Sequence, residues 1–315
     1  MARFIQYTMV ASLSLSCQSV RRPSDPRPVS RNPEPKIGIS PIPGPRSTQP
    51  SSTPPPTPST QVIPRQSPIP EPLVGGSPGC QVDTQDTGLK NASVMVGSTQ
   101  RTFIRVVHAS YSRNKKHAVV IGYHGLGLDG TSPRYHHKWP LVEEMAGDQA
   151  IFIYPNALGG SWSAGGSSSR DVLFFDELVK NTGELYCIDK NRVFVHGFSN
   201  GSFFVNGLVA LRKASIRGVI SVAGGGGGTK IPAMIIHGTQ DQTVSYNNAP
   251  STVTAYARAN GCAVPINFNS FAPDSCQLLA GCPQELPVWF CTWNGNHHWP
   301  EFTLPDVWKF ISSFK

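Results

Sequence analysis

Three residue types that together perform nucleophilic catalysis occur in this chain in a fixed order: a serine, then an aspartate, then a histidine. The serine is Ser199, in the G-x-S-x-G stretch 197–201. An apolar, strand-like run (192–196) precedes it and a helix-compatible run (202–211) follows it. Strand, sharp turn and helix is the context in which this motif forms a nucleophile elbow, which presents the serine hydroxyl to a substrate. A glycine–serine turn without chemistry is the alternative, since short motifs also occur by chance.

An acid and a base must follow, because a serine hydroxyl is a weak nucleophile until an oriented histidine takes its proton. Asp241 is the candidate acid: it comes just after the apolar run 233–236, where a helix or turn cap is the structural alternative. His297 and His298 compete for the role of base, and the residues alone do not choose between them. The remaining histidine would line the pocket or hydrogen-bond the loop. The order Ser, Asp, His is that of the α/β-hydrolases.

The tetrahedral intermediate of such a reaction needs two N–H donors for its oxyanion. The backbone N–H of Asn200 is one candidate, because it follows the nucleophile at a helix N-terminus. The second donor comes from the loop after an earlier strand, where the N–H of Leu126 is the candidate. In that same loop, His124 is predicted to brace the backbone and not to catalyse. His196 and His237 end buried strand-like runs and are predicted to be structural.

Three tryptophans follow strand-like runs and are candidates for substrate contact. They are Trp162, Trp293 and Trp299. An exposed indole in such a loop could stack on an aromatic or a sugar ring. Ordinary core packing is the alternative for each of them.

The apolar runs that must position these groups alternate with helix-like segments. This alternation predicts a mostly parallel sheet covered by helices on both faces, with its ligand beyond the carboxyl ends of the strands. The strand-like runs are 93–96, 102–107, 118–123, 150–155, 192–196, 219–222, 233–236 and 288–290, and the helix-like segments are 171–180, 202–211 and 305–314.

Composition divides the 315-residue chain into three predicted segments. Residues 1–17 are typical of an export signal, which would be of the lipoprotein type if Cys17 carries a lipid; a free secreted form is the alternative. Residues 18–79 are a proline-rich linker predicted to be disordered, since they cannot bury a core. Residues 80–315 are long enough for one large α/β domain. The first 79 residues hold 18 of the 29 prolines and five of the formal +8 charges, so the basic balance does not indicate a nucleic-acid surface.

Seven cysteines are present, and six remain if Cys17 belongs to the signal. No C-x-x-C pair occurs, which argues against zinc ribbons and thioredoxin-like sites, and no metal site is predicted. An even number of cysteines in an exported domain indicates three disulfides. The six are Cys80, Cys187, Cys262, Cys276, Cys282 and Cys291.

Eight separate segments resemble secreted feruloyl esterases of the type related to polyhydroxybutyrate depolymerases. They occur in that family's order and together span essentially all of residues 80–315. The segments are Y-H-G (123–125), I-Y-P-N (153–156), S-R-D-V-L-F-F-D (169–176), Y-C-I-D (186–189), R-V-F-V-H-G-F-S-N-G (192–201), H-G-T-Q-D (237–241), A-N-G-C (259–262) and H-H-W-P (297–300).

The resemblance implies an α/β-hydrolase fold and hydrolysis of carboxylic esters. It places the catalytic histidine directly before x-Trp-Pro, which is His297 here, and it places Trp162 near the substrate cleft. His298 and Trp299 join Trp162 as predicted substrate contacts. The disulfide pairing that the family's cysteine layout suggests is Cys80–Cys187, Cys262–Cys291 and Cys276–Cys282.

The sequence therefore predicts a secreted, or outer-surface lipoprotein, serine esterase that needs no cofactor and works as a monomer. Its substrate would be a feruloyl or related hydroxycinnamoyl ester on plant cell-wall polysaccharide. Acetyl-xylan esterase and polyhydroxybutyrate depolymerase, whose substrate is a polyester, are the alternatives within the same chemistry. A non-catalytic carbohydrate-binding domain, or a stalk in which the linker is the main element, are alternatives of another class.

Overall fold

A computed structural model of the chain describes residues 76–84 and 86–315. The predicted export signal, its possible lipid anchor and the predicted linker as far as residue 75 lie outside the described residues, so the division into segments stays a prediction. Packing begins before residue 80, because the hydroxyl of Ser77 is buried and donates to the backbone carbonyl of Tyr186 over 2.7 Å.

One sheet runs through the described residues. Its strands are β1 (Gly88–Val96), β2 (Thr99–Val107), β3 (His117–Tyr123), β4 (Ala150–Pro155), β5 (Ile188–Phe198), β6 (Gly218–Val222), β7 (Ala233–Gly238), β8 (Ser275–Leu278) and β9 (Val288–Trp293). Their order in the sheet is β1-β2-β4-β3-β5-β6-β7-β9-β8. The six central strands, in the order β4-β3-β5-β6-β7-β9, pair in parallel. At the two edges, β1 and β2 on one side and β8 on the other pair in antiparallel fashion. Strands β3, β4, β6 and β7 are buried along their whole length, as expected of parallel strands covered on both faces.

Helices cover the two faces of this sheet. They are α1 (Ser132–Tyr135), α2 (Pro140–Ala146), α3 (Arg170–Leu185), α4 (Asn200–Leu211), α5 (Asn248–Asn260) and α6 (Leu304–Ser312). Apolar side chains of α3, α4 and α5 pack into a core on one face, where Leu178, Leu208 and Val253 are fully buried. Those of α2 and α6, including Val142 and Val307, pack into a second core on the other face.

The predicted mostly parallel sheet flanked by helices is confirmed. Every strand-like run and helix-like segment corresponds to an element of the structure, in most cases a longer one. Helices α1, α2 and α5 and strand β8 were not predicted from the sequence. Helix α5 is hard to predict because about half of its residues are polar and two of these, Thr252 and Asn260, are among its buried positions. Within the described residues, no helix is long and apolar enough to cross a membrane.

Three disulfides join the six cysteines of the described chain, but two of the expected pairings are wrong. Cys80–Cys187 is confirmed. The other two bonds are Cys262–Cys282 and Cys276–Cys291, not Cys262–Cys291 and Cys276–Cys282.

The physical reason lies in the sheet edge that the sequence analysis missed. Cys276 and Cys291 are direct cross-strand partners in the antiparallel pair β8–β9, so their side chains meet. Cys262 follows the end of α5, and the next residue, Ala263, donates its N–H to the carbonyl of Ala280 over 3.0 Å. That bond brings Cys262 beside Cys282.

Candidate active site

The loops that carry the candidate residues meet at one edge of the sheet. The register places Tyr123 at the end of β3 opposite Gly197 of β5, and Gly238 at the end of β7 opposite Trp293 of β9. Because these strands are parallel, their carboxyl ends lie side by side and the loops that follow them converge.

The nucleophile elbow is a strained turn that glycines make possible. Ser199 has φ 55° and ψ −118°, a backbone conformation that non-glycine residues rarely adopt. Its N–H donates to the carbonyl of Val222 over 2.9 Å, which ties the turn to β6. A Cβ at Gly197 would collide with the carbonyl of Gly201, and a Cβ at Gly201 would collide with the carbonyl of Tyr123. The motif therefore has a steric basis in this chain, and α4 begins directly after the serine.

Ser199, His297 and Asp241 form a continuous hydrogen-bonded relay. The Nε2 atom of His297 lies 2.9 Å from the Ser199 hydroxyl, and its Nδ1 atom lies 2.7 Å from Oδ2 of Asp241. When Nδ1 carries the ring proton and donates a hydrogen bond to the carboxylate, Nε2 is free to accept the serine proton. The His297 side chain is 18% exposed and that of Asp241 is fully buried, so the histidine borders solvent and the aspartate does not.

The carboxylate of Asp241 is held by its own loop. Its Oδ1 accepts the N–H groups of Thr243 (2.9 Å) and Val244 (2.8 Å). Burial alone would raise the pKa of Asp241, but the hydrogen bonds from His297 and from these two backbone N–H groups outweigh it and lower the pKa. The acid therefore stays ionised and can stabilise a positive charge on His297.

His237 also contacts the acid, which the sequence analysis did not foresee. Its Nε2 lies 2.9 Å from the carbonyl of Val244 and 3.3 Å from Oδ2 of Asp241, so an Nε2–H group is shared between them. Burial lowers the pKa of His237, which keeps the ring neutral. The only available signal was its position at the end of β7, four residues before the acid.

The two candidate oxyanion donors, Leu126 and Asn200, lie on adjoining loops. The loop after β3 is braced by His124, as predicted: its Nδ1–H donates to the carbonyl of Gly125 over 2.7 Å, and its Nε2 accepts the N–H of Ala157 over 3.1 Å. Burial lowers the pKa of His124, in keeping with this neutral tautomer. The Leu126 side chain is 67% exposed and points away from the core.

The predicted tryptophan contacts need correction. Trp162 and Trp299 are only 4% and 3% exposed, so neither can offer a ring face to a substrate, and the core alternative is the right one for both. Trp299 donates its indole N–H to the Thr303 hydroxyl over 3.1 Å. His298 is exposed; its Nδ1 lies 3.2 Å from Asn296 Oδ1, which is the loop-bonding role left open for the second histidine.

A polar cavity of about 390 Å³ borders His297. Its walls are His297 and four uncharged polar residues, Gln240, Gln242, Thr243 and Asn296. A larger, apolar groove of about 640 Å³ lies elsewhere, between α2 and α6, and includes no residue of the relay. Residues 76–84 and 86–315 contain no group of three or more His, Cys, Asp or Glu side chains that could hold a metal ion.

Comparison with known proteins supports the resemblance seen in the motifs. No family model matches the chain. Feruloyl esterase C of Emericella nidulans is 27% identical over 237 residues, covering 70% of this chain and 83% of that protein. Feruloyl esterase D of Neurospora crassa is 25% identical over 248 residues, covering 69% and 83% respectively. The solved structure of an acetyl xylan esterase from Aspergillus awamori superimposes with a TM-score of 0.57 at 16% identity, over 72% of this chain and 99% of that one. The resemblance to feruloyl esterases and the α/β-hydrolase fold are confirmed.

Proposed function

We propose that this carboxylic ester hydrolase cleaves feruloyl and related hydroxycinnamoyl esters of plant cell-wall polysaccharide by a serine mechanism. The observation that carries the proposal is the relay itself: 2.9 Å from Ser199 to His297 and 2.7 Å from His297 to Asp241, at the carboxyl edge of the sheet.

The relay supports a two-step reaction through an acyl-enzyme. His297 Nε2 takes the proton of the Ser199 hydroxyl as its oxygen attacks the ester carbonyl, and Asp241 stabilises the resulting imidazolium. The N–H groups of Leu126 and Asn200 hold the oxyanion. His297 then protonates the leaving alcohol. Water enters and gives one proton to His297 as its oxygen attacks the acyl carbon. The Ser199 oxygen then leaves, takes that proton back from His297, and the acid is released.

Two observations support the substrate class. The curated relatives described above are named feruloyl esterases and align over most of their length. The cavity beside His297 is lined by amide and hydroxyl side chains, which suit a hydroxyl-rich alcohol such as a sugar better than the repeating chain of a polyester.

We also propose that the protein is exported. Three disulfides within one domain are typical of proteins from oxidising compartments. A lipid on Cys17 would hold the enzyme at a membrane surface, and a free form would diffuse; both are compatible with work on an insoluble polymer.

Release of free acid from methyl ferulate tests the function, with acetylated xylan and a polyhydroxybutyrate film as parallel substrates. We expect fast ferulate release and a loss of at least about 10⁴-fold in kcat for Ser199→Ala, with the fold intact. Hydrolysis of only acetyl or hydroxybutyrate esters would refute the feruloyl assignment and keep the serine mechanism. No hydrolysis, together with no labelling of Ser199 by a fluorophosphonate probe, would favour the carbohydrate-binding alternative.

A further inference from the structure

We propose that Trp162 is a positioning residue of the oxyanion hole. Its two N–H groups tie the loop that carries Leu126 to the elbow that carries Asn200, and so hold the two backbone donors at a fixed spacing. The inference rests on the proposed serine esterase function, and it gives Trp162 a role different from the substrate contact that the sequence predicted.

Each N–H of Trp162 bonds one half of the oxyanion hole. The indole Nε1–H donates to the backbone carbonyl of His124 over 3.0 Å, two residues before Leu126, and this bond is buried. The backbone N–H donates to the side-chain Oδ1 of Asn200 over 2.8 Å. One residue thus joins the loop after β3 to the N-terminus of α4.

The ring itself has little freedom to move. It packs edge-on against Tyr123, with ring centroids 5.0 Å apart, and lies nearly parallel to Phe204 at 5.6 Å. Tyr123 ends β3 and Phe204 belongs to α4, so the ring is wedged between the same two elements that its N–H groups connect. A side chain fixed in this way transmits the rigidity of the core to both loops.

The segment that carries Trp162 is anchored on either side of it. Before it, the Gly160 carbonyl accepts the N–H of Gly127 over 2.8 Å. After it, the Ser163 N–H donates to Oδ2 of Asp171 over 3.0 Å, and Asp171 is paired with buried Arg101 at 2.9 Å. These anchors keep the tryptophan in register with both halves of the hole.

Fixed spacing matters because the two donors lie on separate loops. Oxyanion stabilisation requires both N–H groups within about 2.7–3.1 Å of one developing charge, and displacements of about 1 Å cost up to about 10²-fold in rate. Loosening the connection should therefore weaken binding of the transition state and leave binding of the ground state unchanged.

Trp162→Phe tests the inference, because it keeps an aromatic ring and removes the indole donor. Trp139→Phe is the matched control: Trp139 is equally buried, and its indole nitrogen has no hydrogen-bond partner among the described residues. With p-nitrophenyl acetate as substrate, we expect Trp162→Phe to lower kcat about tenfold or more with KM within twofold of the wild type. Trp139→Phe should lower the melting temperature but keep kcat.

A trifluoromethyl ketone, which forms a tetrahedral adduct with the serine, reports on the hole directly. Its affinity should fall in Trp162→Phe by the same factor as kcat/KM, while the affinity for the acid product stays constant. If Trp162→Phe fails to fold, Asn200→Ala gives the same test, since it removes the acceptor and keeps the backbone donor. Where both single variants fold, the double variant should be no worse than the worse single one.

Wild-type kcat in folded Trp162→Phe, or equal losses of kcat in Trp162→Phe and Trp139→Phe, would overturn the inference. The wild-type enzyme could hydrolyse p-nitrophenyl acetate but not methyl ferulate. That result would refute the feruloyl assignment, and the role of Trp162 could still be measured with p-nitrophenyl acetate. An inactive wild type would instead refute the proposed function, and the inference with it.

Discussion

The relay is assembled from two halves of the molecule that are held together by different means. The nucleophile half consists of residues 123–163 and 197–203, and the acid–base half of residues 237–298. In the nucleophile half, backbones approach so closely that only glycine fits at Gly197 and Gly201, and hydrogen bonds join the loops. The acid–base half has a similar close backbone approach at Gly238, and in addition it contains two of the three disulfides, one of which ties β9 to the edge strand β8.

The two halves differ in what fixes the position of the reactive side chain. The serine must sit in a strained turn, so its position depends on local sterics that a short motif encodes. The histidine lies on the loop after β9, which accepts backbone hydrogen bonds from Thr239 (2.8 Å) and Gln240 (2.9 Å), while the two disulfides stabilise the fold around that loop. The halves should therefore respond differently to substitution.

The largest effect is expected in the acid–base half, from Asp241→Asn. An amide in place of the carboxylate favours the wrong tautomer of His297, and kcat should fall about 10⁴-fold. Labelling of Ser199 by a fluorophosphonate should slow in parallel while circular dichroism stays unchanged. A loss of less than tenfold would mean that Asp241 does not orient the base.

The effect of Asp241→Asn on the melting temperature should depend on pH. Because the folded pKa of Asp241 is lowered, its ionised form stabilises the fold at pH values above its unfolded pKa of about 3.9, and this contribution is lost as the pH falls through the folded pKa. Melting temperatures of Asp241→Asn and the wild type should therefore differ at pH 7 and converge in acid.

Gly201→Ala probes the nucleophile half. The added methyl group would meet the backbone carbonyls of Tyr123 and His124, which cannot rotate away, so α4 must shift and move the elbow. We expect a loss of about 3 kcal/mol in unfolding free energy or more, together with most of the activity. Gly165→Ala is the control, because its methyl group would make an ordinary contact with Ser163. It should change neither the unfolding free energy nor the activity. Equal unfolding free energies of the two variants in denaturant titration would contradict the steric argument.

Removing a disulfide from the acid–base half should lower stability and leave activity intact, whereas Gly201→Ala should lower both. Cys276→Ser/Cys291→Ser opens a link across 15 residues, worth about 3 kcal/mol, which corresponds to a drop of about 10 °C in melting temperature. At 25 °C kcat should be nearly unchanged, because β8 and β9 remain paired. Peptide mapping without reduction should find Cys276 joined to Cys291; a Cys276–Cys282 peptide would show the pairing to be different.

The same contrast explains what could be predicted from the sequence. The elbow, the order of Ser199, Asp241 and a C-terminal histidine, and the buried strands all follow from local patterns. The pairing of Cys276 with Cys291 did not, because it depends on β8, a four-residue edge strand with no fully buried position. The burial of Trp162 and Trp299 also escaped prediction, since a loop position after a strand does not tell whether a ring faces the core or the solvent.

The contact between His237 and Asp241 was not predicted for a related reason. The position of a histidine at the end of a buried strand indicates a structural role and does not show which group its ring contacts. His237→Leu removes the N–H donor 3.3 Å from Oδ2 of Asp241 and should lower kcat about tenfold with KM unchanged. His237→Gln, whose side-chain N–H can take the place of Nε2–H, should recover most of the rate. His196→Leu is the matched control, because both ring nitrogens of that buried histidine lack partners among the described residues.

The rate of fluorophosphonate labelling separates positioning from simple packing in this series. With one donor to Asp241 fewer, the catalytic base is oriented less firmly, so labelling of Ser199 should slow in His237→Leu by the same factor as kcat. His237→Gln and His196→Leu should keep most of the wild-type labelling rate. If all three variants lose activity only in proportion to their stability, His237 is a core residue whose closeness to the acid has no effect on catalysis.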